Sequence, residues 1–444
     1  MTTQIFQAST LYGTATLAAA LDSGCFDSAD RRILLVCNNA ATPETTPGLD
    51  VAPGFERLRE RFDDVISYNE TIFPFHPGGW VPRPEDLPLW ERFLRHEWRL
   101  GDDDVELAVE SIQVNPSLSL TQMFTGAPVT VYADGLMSYG PTRNKIDPLI
   151  GTRVDRVLHL DLVPGLKPML LTEFGVPAEV VPTAAFTKVL SELAPSGDTL
   201  PQIEEPAMLL GQYLSALGIL SPEQEEDLHV RMLKGAVELG HTKVVFKPHP
   251  SAPARFVRTL EQEAERLKVD LTVLDTTVLA EVLYQKMRPA LVVGCFSTAL
   301  LTASALYGLP TARVGTDTLL DKLTPYENSN RVPVTVVDAL LPSLTDRKAV
   351  EEQRALLTVG ELTELLRAVG FAMQPKIHPQ LRQETERYLT KHLNDTTIRY
   401  FKRKRLTSLA LPGGVPAQLG FLPRNATVRR MARKARNLRR VVRR

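Results

Sequence analysis

Short, continuous apolar runs alternate with helix-like stretches along most of this chain, and that alternation restricts it to α/β folds built on parallel strands. Ile33–Cys37 reads ILLVC, apolar at every position. A strand of that kind is buried on both faces, so helices must cover the sheet above and below. Gln4–Ala8, Val105–Ile112, Val129–Tyr132 and Val154–Leu160 are less pure strand candidates, and Thr10–Leu21 predicts a helix behind the first of them.

Residues 191–207 (SELAPSGDTLPQIEEPA) lose periodicity and gather Pro, Ser, Gly and acids, which marks a linker. A second alternating unit follows it. Met208–Gly211 reads as a strand, and Ser221-Pro-Glu-Gln224 is a capping box with Pro at the first helical position, opening a helix to about Gly240. Strands at Lys243–Lys247, Leu271–Leu274 and Ala290–Val293 then alternate with helices at Ala254–Lys268, Thr277–Lys286 and Ser297–Leu306. The expected fold is α/β, two Rossmann-like, doubly wound domains facing a cleft, with C-terminal helices. The expected boundaries are 1–195 for an acceptor-side domain, 206–345 for a donor-binding domain, 346–395 for a helical segment crossing both, and 396–444 for a basic tail.

A chain of 444 residues can bury two cores of ordinary size. Hydrophobic residues at 43% and charged ones at 23% are normal for a globular protein, which excludes a disordered chain. The three cysteines, Cys25, Cys37 and Cys295, are odd in number and lack metal-ligand spacing, so neither a disulfide framework nor a zinc site is expected. The opening MTTQIFQASTLYG has no basic region followed by an apolar core, from which a cytoplasmic address is expected. No charged residue occurs from Pro289 to Ala312, but Gly, Ser, Thr and a late GLP divide that stretch, which reads as strand, turn and helix instead of a membrane span.

The formal charge of −1 conceals a strong asymmetry. Fifteen basic and no acidic residues follow Asp395, leaving 36 basic against 52 acidic residues before it. Val428, Met431, Ala435, Leu438 and Val442 fall at spacings of three and four, one apolar stripe on an arginine-dense helix. That pattern suits the anionic inner face of a membrane, with polyanion binding and a solvated end as the other readings; nucleic acid is not the expected partner.

Four short segments carry potential chemistry. FKPHPS, Phe246–Ser251, places Lys247 and His249 two apart where the chain leaves a strand, with Pro248 and Pro250 stiffening the turn. Ammonium and imidazole there suit a departing phosphate, and a capping histidine in a rigid turn is the alternative. GCFST, Gly294–Thr298, runs from an apolar strand into a helix, with Gly294 permitting a tight turn. Ser297 and Thr298 at the helix start serve either a phosphate or plain N-capping. Asp134 follows a strand in VTVYADGLMSYG and is either a general base or half of an Asp-Gly turn. Glu281, among Val278, Leu279, Val282 and Leu283, is either solvated or the polar spot of a buried face that meets a ribose.

The order of these segments, with GQYLS at Gly211–Ser215, resembles bacterial sialyltransferases of GT-B fold, most closely the polysialyltransferase family, over Gln4 to Pro342. That resemblance implies an inverting transfer of sialic acid or a related ulosonic acid from a CMP-activated donor to a surface glycan or glycolipid. It implies Asp134 as the base, His249 assisting departure of CMP, and donor contacts from Lys247, Pro250, Glu281, Gly294, Ser297 and Thr298. No metal and no cofactor beyond the CMP-sugar co-substrate is implied. Where the family commonly has a second acid before the Asp-Gly, this chain has Ala133. Asp102–Asp104, its single Asp-x-Asp, precedes a predicted strand and reads as a solvated turn. The competing readings are a teichoic-acid-type glycerophosphotransferase using a CDP-activated donor, and a membrane-bound nucleotide-sugar-binding scaffold without catalysis.

Overall fold

The structure, a computed structural model, describes residues 1–133, 135–197, 199–249, 254–353 and 356–415. Asp134, Pro250 and the whole apolar stripe from Val428 to Val442 therefore lie outside the described residues.

Among the described residues twelve strands form two sheets, and every pairing between them is parallel. The first sheet has β1 (Thr2–Ala8), β2 (Arg31–Val36), β3 (Asp64–Ser67), β4 (Asp104–Glu110), β5 (Val129–Ala133), β6 (Val154–Leu160) and β7 (Ala178–Val181), in the order β3-β2-β1-β4-β5-β6-β7. The second has β8 (Ala207–Leu210), β9 (Lys243–Lys247), β10 (Asp270–Val273), β11 (Leu291–Gly294) and β12 (Thr311–Arg313), in the order β10-β9-β8-β11-β12. Strand order reverses between β1 and β4 and between β8 and β11, and ligands of such sheets bind outside the carboxyl ends at these points.

The purely apolar runs are explained by two-sided burial. Ile5, Ile33, Leu35 and Leu107 enter a core on one face of the first sheet. Phe6, Leu34, Val36 and Ala108 alternate with them onto the other face, whose core continues into the second lobe. The charge-free stretch from Pro289 resolves into β11, the helix Thr298–Tyr307 and β12, and among the described residues no helix is long and apolar enough to cross a membrane.

The C-terminal helices touch both lobes. The helix Val359–Met373 lies against the helix Arg331–Leu340 of the second lobe, while a Cβ on its Gly370 would stand 2.6 Å from Met169 Cε of the first. Buried Asp338 gathers Arg313 (2.9 Å), Arg399 (2.8 Å) and the Tyr400 hydroxyl (2.9 Å). The first part of the basic tail is thereby packed into the body: Arg405 pairs with Glu327 at 2.7 Å, Lys402 reaches the Asp321 carbonyl, and Leu406 and Leu411 are buried.

Candidate active site

Three of the sequence segments lie at the carboxyl ends of three adjacent strands. FKPHPS leaves β9, GQYLS leaves β8 and GCFST leaves β11, so they flank the reversal of strand order in the second sheet. Backbone and side-chain bonds join them. Gly211 N donates to Lys247 O at 2.9 Å, and a Cβ on Gly211 would lie 3.0 Å from Phe246 Cζ and 3.1 Å from Pro248 Cα, so a side chain there would press on the turn after β9. Gln212 Oε1 accepts from Phe296 N at 2.9 Å, which ties GQYLS to GCFST.

Glu225 braces the same segment from below. Its carboxylate, wholly buried, accepts from Leu214 N (2.6 Å), Ser215 N (2.8 Å) and Ser215 Oγ (2.7 Å). It stands one residue beyond the capping-box Gln224, which folds back on Ser221 as the sequence predicts. Gln212, Tyr213 and Glu225 were given no role by the sequence reading. Tyr213 and Gln212 carried a signal as members of GQYLS, whereas Glu225 looks like any acid in the first turn of a solvated helix.

Burial lowers the Lys247 pKa, and Glu281 and Asp275 raise it in opposition. Its ammonium donates to Thr276 O at 3.2 Å. His249 is exposed at the surface of the turn, with the Tyr213 ring 6.3 Å away and tilted by 34°. Partial desolvation and then Lys247 lower its pKa, Glu225 acts in the opposite sense, and solvent screens the effect at so open a position. Glu281 lies on the helix Ala280–Met287, only 3% exposed, and Thr302 Oγ1 donates to its Oε1 at 2.7 Å. Burial raises its pKa, while the Thr302 bond and Lys247 lower it. The solvated-face reading of Glu281 is thus excluded.

That helix starts at Ala280 instead of the expected Thr277, because Thr276 Oγ1 accepts from Val278 N in a local turn that competes with helix. Ser297 is the N-cap of Thr298–Tyr307, its Oγ accepting from Ala299 N at 3.2 Å and its carbonyl from Leu300 N at 3.0 Å, which leaves the Thr298 N–H of the first turn as an anion donor. Gly294 ends β11 without a positive φ. A Cβ there would meet Leu300 Cδ1 at 3.2 Å, so the requirement is close packing of strand on helix, not the tight turn expected. The Cys295 thiol between them is buried, and burial pushes its pKa up, which makes it inert.

The first lobe reaches this edge through the Asp-Gly turn. Ala133 closes β5, Asp134 is outside the described residues, and a Cβ on Gly135 would lie 2.8 Å from Thr298 Oγ1. The residue after Asp134 therefore abuts the N-terminus of the helix Thr298–Tyr307. Among the described residues no group of three or more His, Cys, Asp or Glu could hold a metal ion.

Two doubly wound lobes whose carboxyl edges meet at one helix N-terminus define the GT-B class of glycosyltransferase. A profile of the alpha-2,8-polysialyltransferase (POLYST) family matches residues 4–316, more than two thirds of the chain, and the chain belongs to that family. Membership implies a nucleotide-sugar donor and a glycan acceptor. No curated protein matches the chain. Among solved structures, the GT-B domain of a sialyltransferase from Photobacterium damselae is 12% identical over 76% of this chain and 96% of its own, with a TM-score of 0.40. UDP-GlcNAc 2-epimerase from Methanocaldococcus jannaschii is 12% identical over 81% and 93%, TM-score 0.44. MurG from Acinetobacter baumannii is 11% identical over 89% and 99%, TM-score 0.41. At these scores the likenesses are loose.

Proposed function

We propose that the chain transfers sialic acid or a related ulosonic acid from a CMP-activated donor to a surface-glycan acceptor with inversion, by direct displacement. The observation that carries this reading is the convergence of FKPHPS, GQYLS and GCFST on the adjacent ends of β9, β8 and β11. A phosphate held there meets the Thr298 N–H and the positive dipole end of the helix Thr298–Tyr307, together with the Ser297 and Thr298 hydroxyls.

His249 and Lys247 supply hydrogen-bond donors to the departing CMP, whose charge grows as the glycosidic bond breaks. The low His249 pKa of the free protein rises when the phosphate anion arrives, which readies the ring to donate. Asp134, next to the residue that abuts Thr298, removes the proton from the acceptor hydroxyl. Glu281 holds Lys247 electrostatically and offers its second carboxylate oxygen towards the ribose. In this arrangement cationic and N–H groups do the work for which other transferases use a metal, so EDTA leaves the rate unchanged.

The test is release of CMP from CMP-sialic acid, with and without acceptor. Asp134→Asn lowers kcat by about 10²–10⁴-fold while CMP still binds, and His249→Ala weakens both kcat and CMP binding. Tighter binding of CDP-glycerol than of CMP-sialic acid would transfer the site to glycerophosphate chemistry, and no turnover with any CMP-ulosonate ends the reading. The basic run from Arg424 is assigned to the anionic inner membrane face by its composition; unchanged sedimentation with phosphatidylglycerol vesicles after removal of residues 416–444 refutes that assignment.

A further inference from the structure

Arg143 stands on the first-lobe segment that follows the Asp-Gly turn. That segment leaves β5, passes Gly135 against Thr298, makes the short turn Leu136–Tyr139 and reaches Gly140, where a Cβ would lie 3.3 Å from Val332 Cγ2 on the second-lobe helix Arg331–Leu340. Arg143 comes three residues later, nine after Asp134. Its backbone N donates to Gln113 Oε1 at 2.7 Å, and the chain that carries Gln113 leaves β4, where Ser111 N donates to Tyr132 O at 3.1 Å. Arg143 is thereby fixed at the carboxyl ends of β4 and β5, next to the reversal of strand order between β1 and β4.

The fold makes no visible use of this side chain. Arg143 is half-buried, yet its guanidinium forms no hydrogen bond or ion pair with the described residues. Desolvation lowers its pKa, and no described acid acts in the opposite sense. Arg153, desolvated in the same way, gives its guanidinium to the carbonyls of Thr121, Phe124 and Ala127. The loop is anchored without Arg143: Thr142 and Ile146 are buried on either side of it, and Thr142 Oγ1 accepts from Leu171 N at 3.0 Å. Taking a cation partly out of water without a partner costs stability, so Arg143 calls for an anion from outside the chain.

A guanidinium presents parallel N–H donors in one plane, which matches the two oxygens of a carboxylate. Every ulosonic acid carries a carboxylate on its anomeric carbon, and a neutral sugar has none. The donor phosphate is assigned to the other lobe, at the ends of β9, β8 and β11, whereas Arg143 shares its segment with Asp134, the residue assigned to the acceptor hydroxyl. Farther along the same edge, a cavity of about 620 Å³ at the ends of β2 and β3 is lined by Glu44, Asp50, Glu70, Phe73 and Phe75 and, among the described residues, offers no guanidinium or ammonium.

We infer that Arg143 binds the carboxylate of the sialic acid, or related ulosonic acid, that ends the acceptor chain, and so selects acceptors that already carry one. The inference rests on the proposed transferase reading. A two-point grip on the carboxylate fixes the orientation of the terminal sugar as well as its position, and a sugar held that way presents the same hydroxyl at each turnover. Arg143 is in this role a specificity residue: it holds the acceptor and takes no part in the displacement.

The test compares a sialylated lactoside with its methyl ester as acceptors for the full chain. The unaltered chain is expected to favour the acid about ten- to a hundredfold in kcat/KM, and Arg143→Met to lower the acid to the level of the ester, through acceptor KM, with donor KM unchanged. Because no internal partner is lost, the melting temperature of Arg143→Met stays the same or rises. Arg143→Lys keeps only part of the preference, since an ammonium lacks the planar fork. An undiminished preference in Arg143→Met, a lowered melting temperature, an equal loss from the exposed neighbour Lys145→Ala, or a rise in donor KM in place of acceptor KM overturns the inference. The last of these would place Arg143 on the donor's carboxylate. Titration of acid and ester without donor reads the same preference in the absence of turnover, and titration with CMP reports separately on the donor reading, so a failure of one is not mistaken for a failure of the other.

Discussion

The two sheets present their carboxyl edges to solvent in opposite ways. The second is closed and internally braced: Gly211 lies against β9, Gln212 holds the backbone of GCFST, and Glu225 lies buried beneath. The first is open, with carboxylates and aromatic rings left unused around a cavity. A phosphate has one shape and one charge sign, and a rigid edge can be built for it. A glycan varies in both, and what a glycan-binding edge calls for is exposed side chains on a fixed frame.

If that contrast is right, the second edge is brittle and the first tolerant. The largest effect is expected from Glu225→Ala, which leaves two backbone N–H groups and a hydroxyl without their acceptor and costs about 4 kcal/mol in denaturant unfolding, with CMP binding lost alongside. A loss below about 1 kcal/mol would show that the segment does not depend on this carboxylate.

His229 supplies the next test, through pH. Its ring is buried between Phe246 (5.0 Å) and Phe256 (5.7 Å) behind β9, neither ring nitrogen has a partner among the described residues, and burial lowers its pKa to about 4. The unfolded chain protonates this group below about pH 6.5 while the folded chain resists until about 4, so the contribution is full above 6.5 and declines as pH falls between the two values. The decline amounts to about 3 kcal/mol by pH 4, and His229→Leu flattens it. Equal acid slopes in the two proteins would refute the assignment.

The smallest effect joins the two edges. Gly135→Ala places a methyl 2.8 Å from Thr298 Oγ1, and since a threonine side chain can turn aside, about a tenfold loss of kcat/KM is expected with stability nearly unchanged. Thr298→Ala removes the oxygen that the new methyl meets, so adding Gly135→Ala to it costs less than Gly135→Ala does alone if the contact is what matters, and additive losses show that the two residues act separately.

Much of this was readable from residue order. The alternation of β8 to β11 with helices, the capping box at Ser221 and the N-cap at Ser297 all rest on local chemistry, and all stand in the structure close to where they were read. β3 was not read, because DVIS is four residues long and half-buried throughout, without an apolar run or a clean alternation. β12 has three residues, and its Arg313 is buried only because Asp338, 25 positions later, meets it. Glu225 and Glu281 show the same limit in the site: which acid of a helix faces inward depends on what packs over it, and periodicity cannot say. The open cavity was missed for a further reason, since its walls come from two separate loops whose own residues look like ordinary turn residues.

Asp338 also sets where this chain can be shortened. It is fully buried, and of its partners Arg399 and Tyr400 arrive from beyond the last long helix, while Tyr326 donates its hydroxyl to the Tyr400 carbonyl at 2.9 Å. A stop codon ahead of Arg399 would strand a carboxylate in the second lobe with Arg313 and Thr316 as its remaining partners. A stop after Val415 would leave every one of these contacts intact.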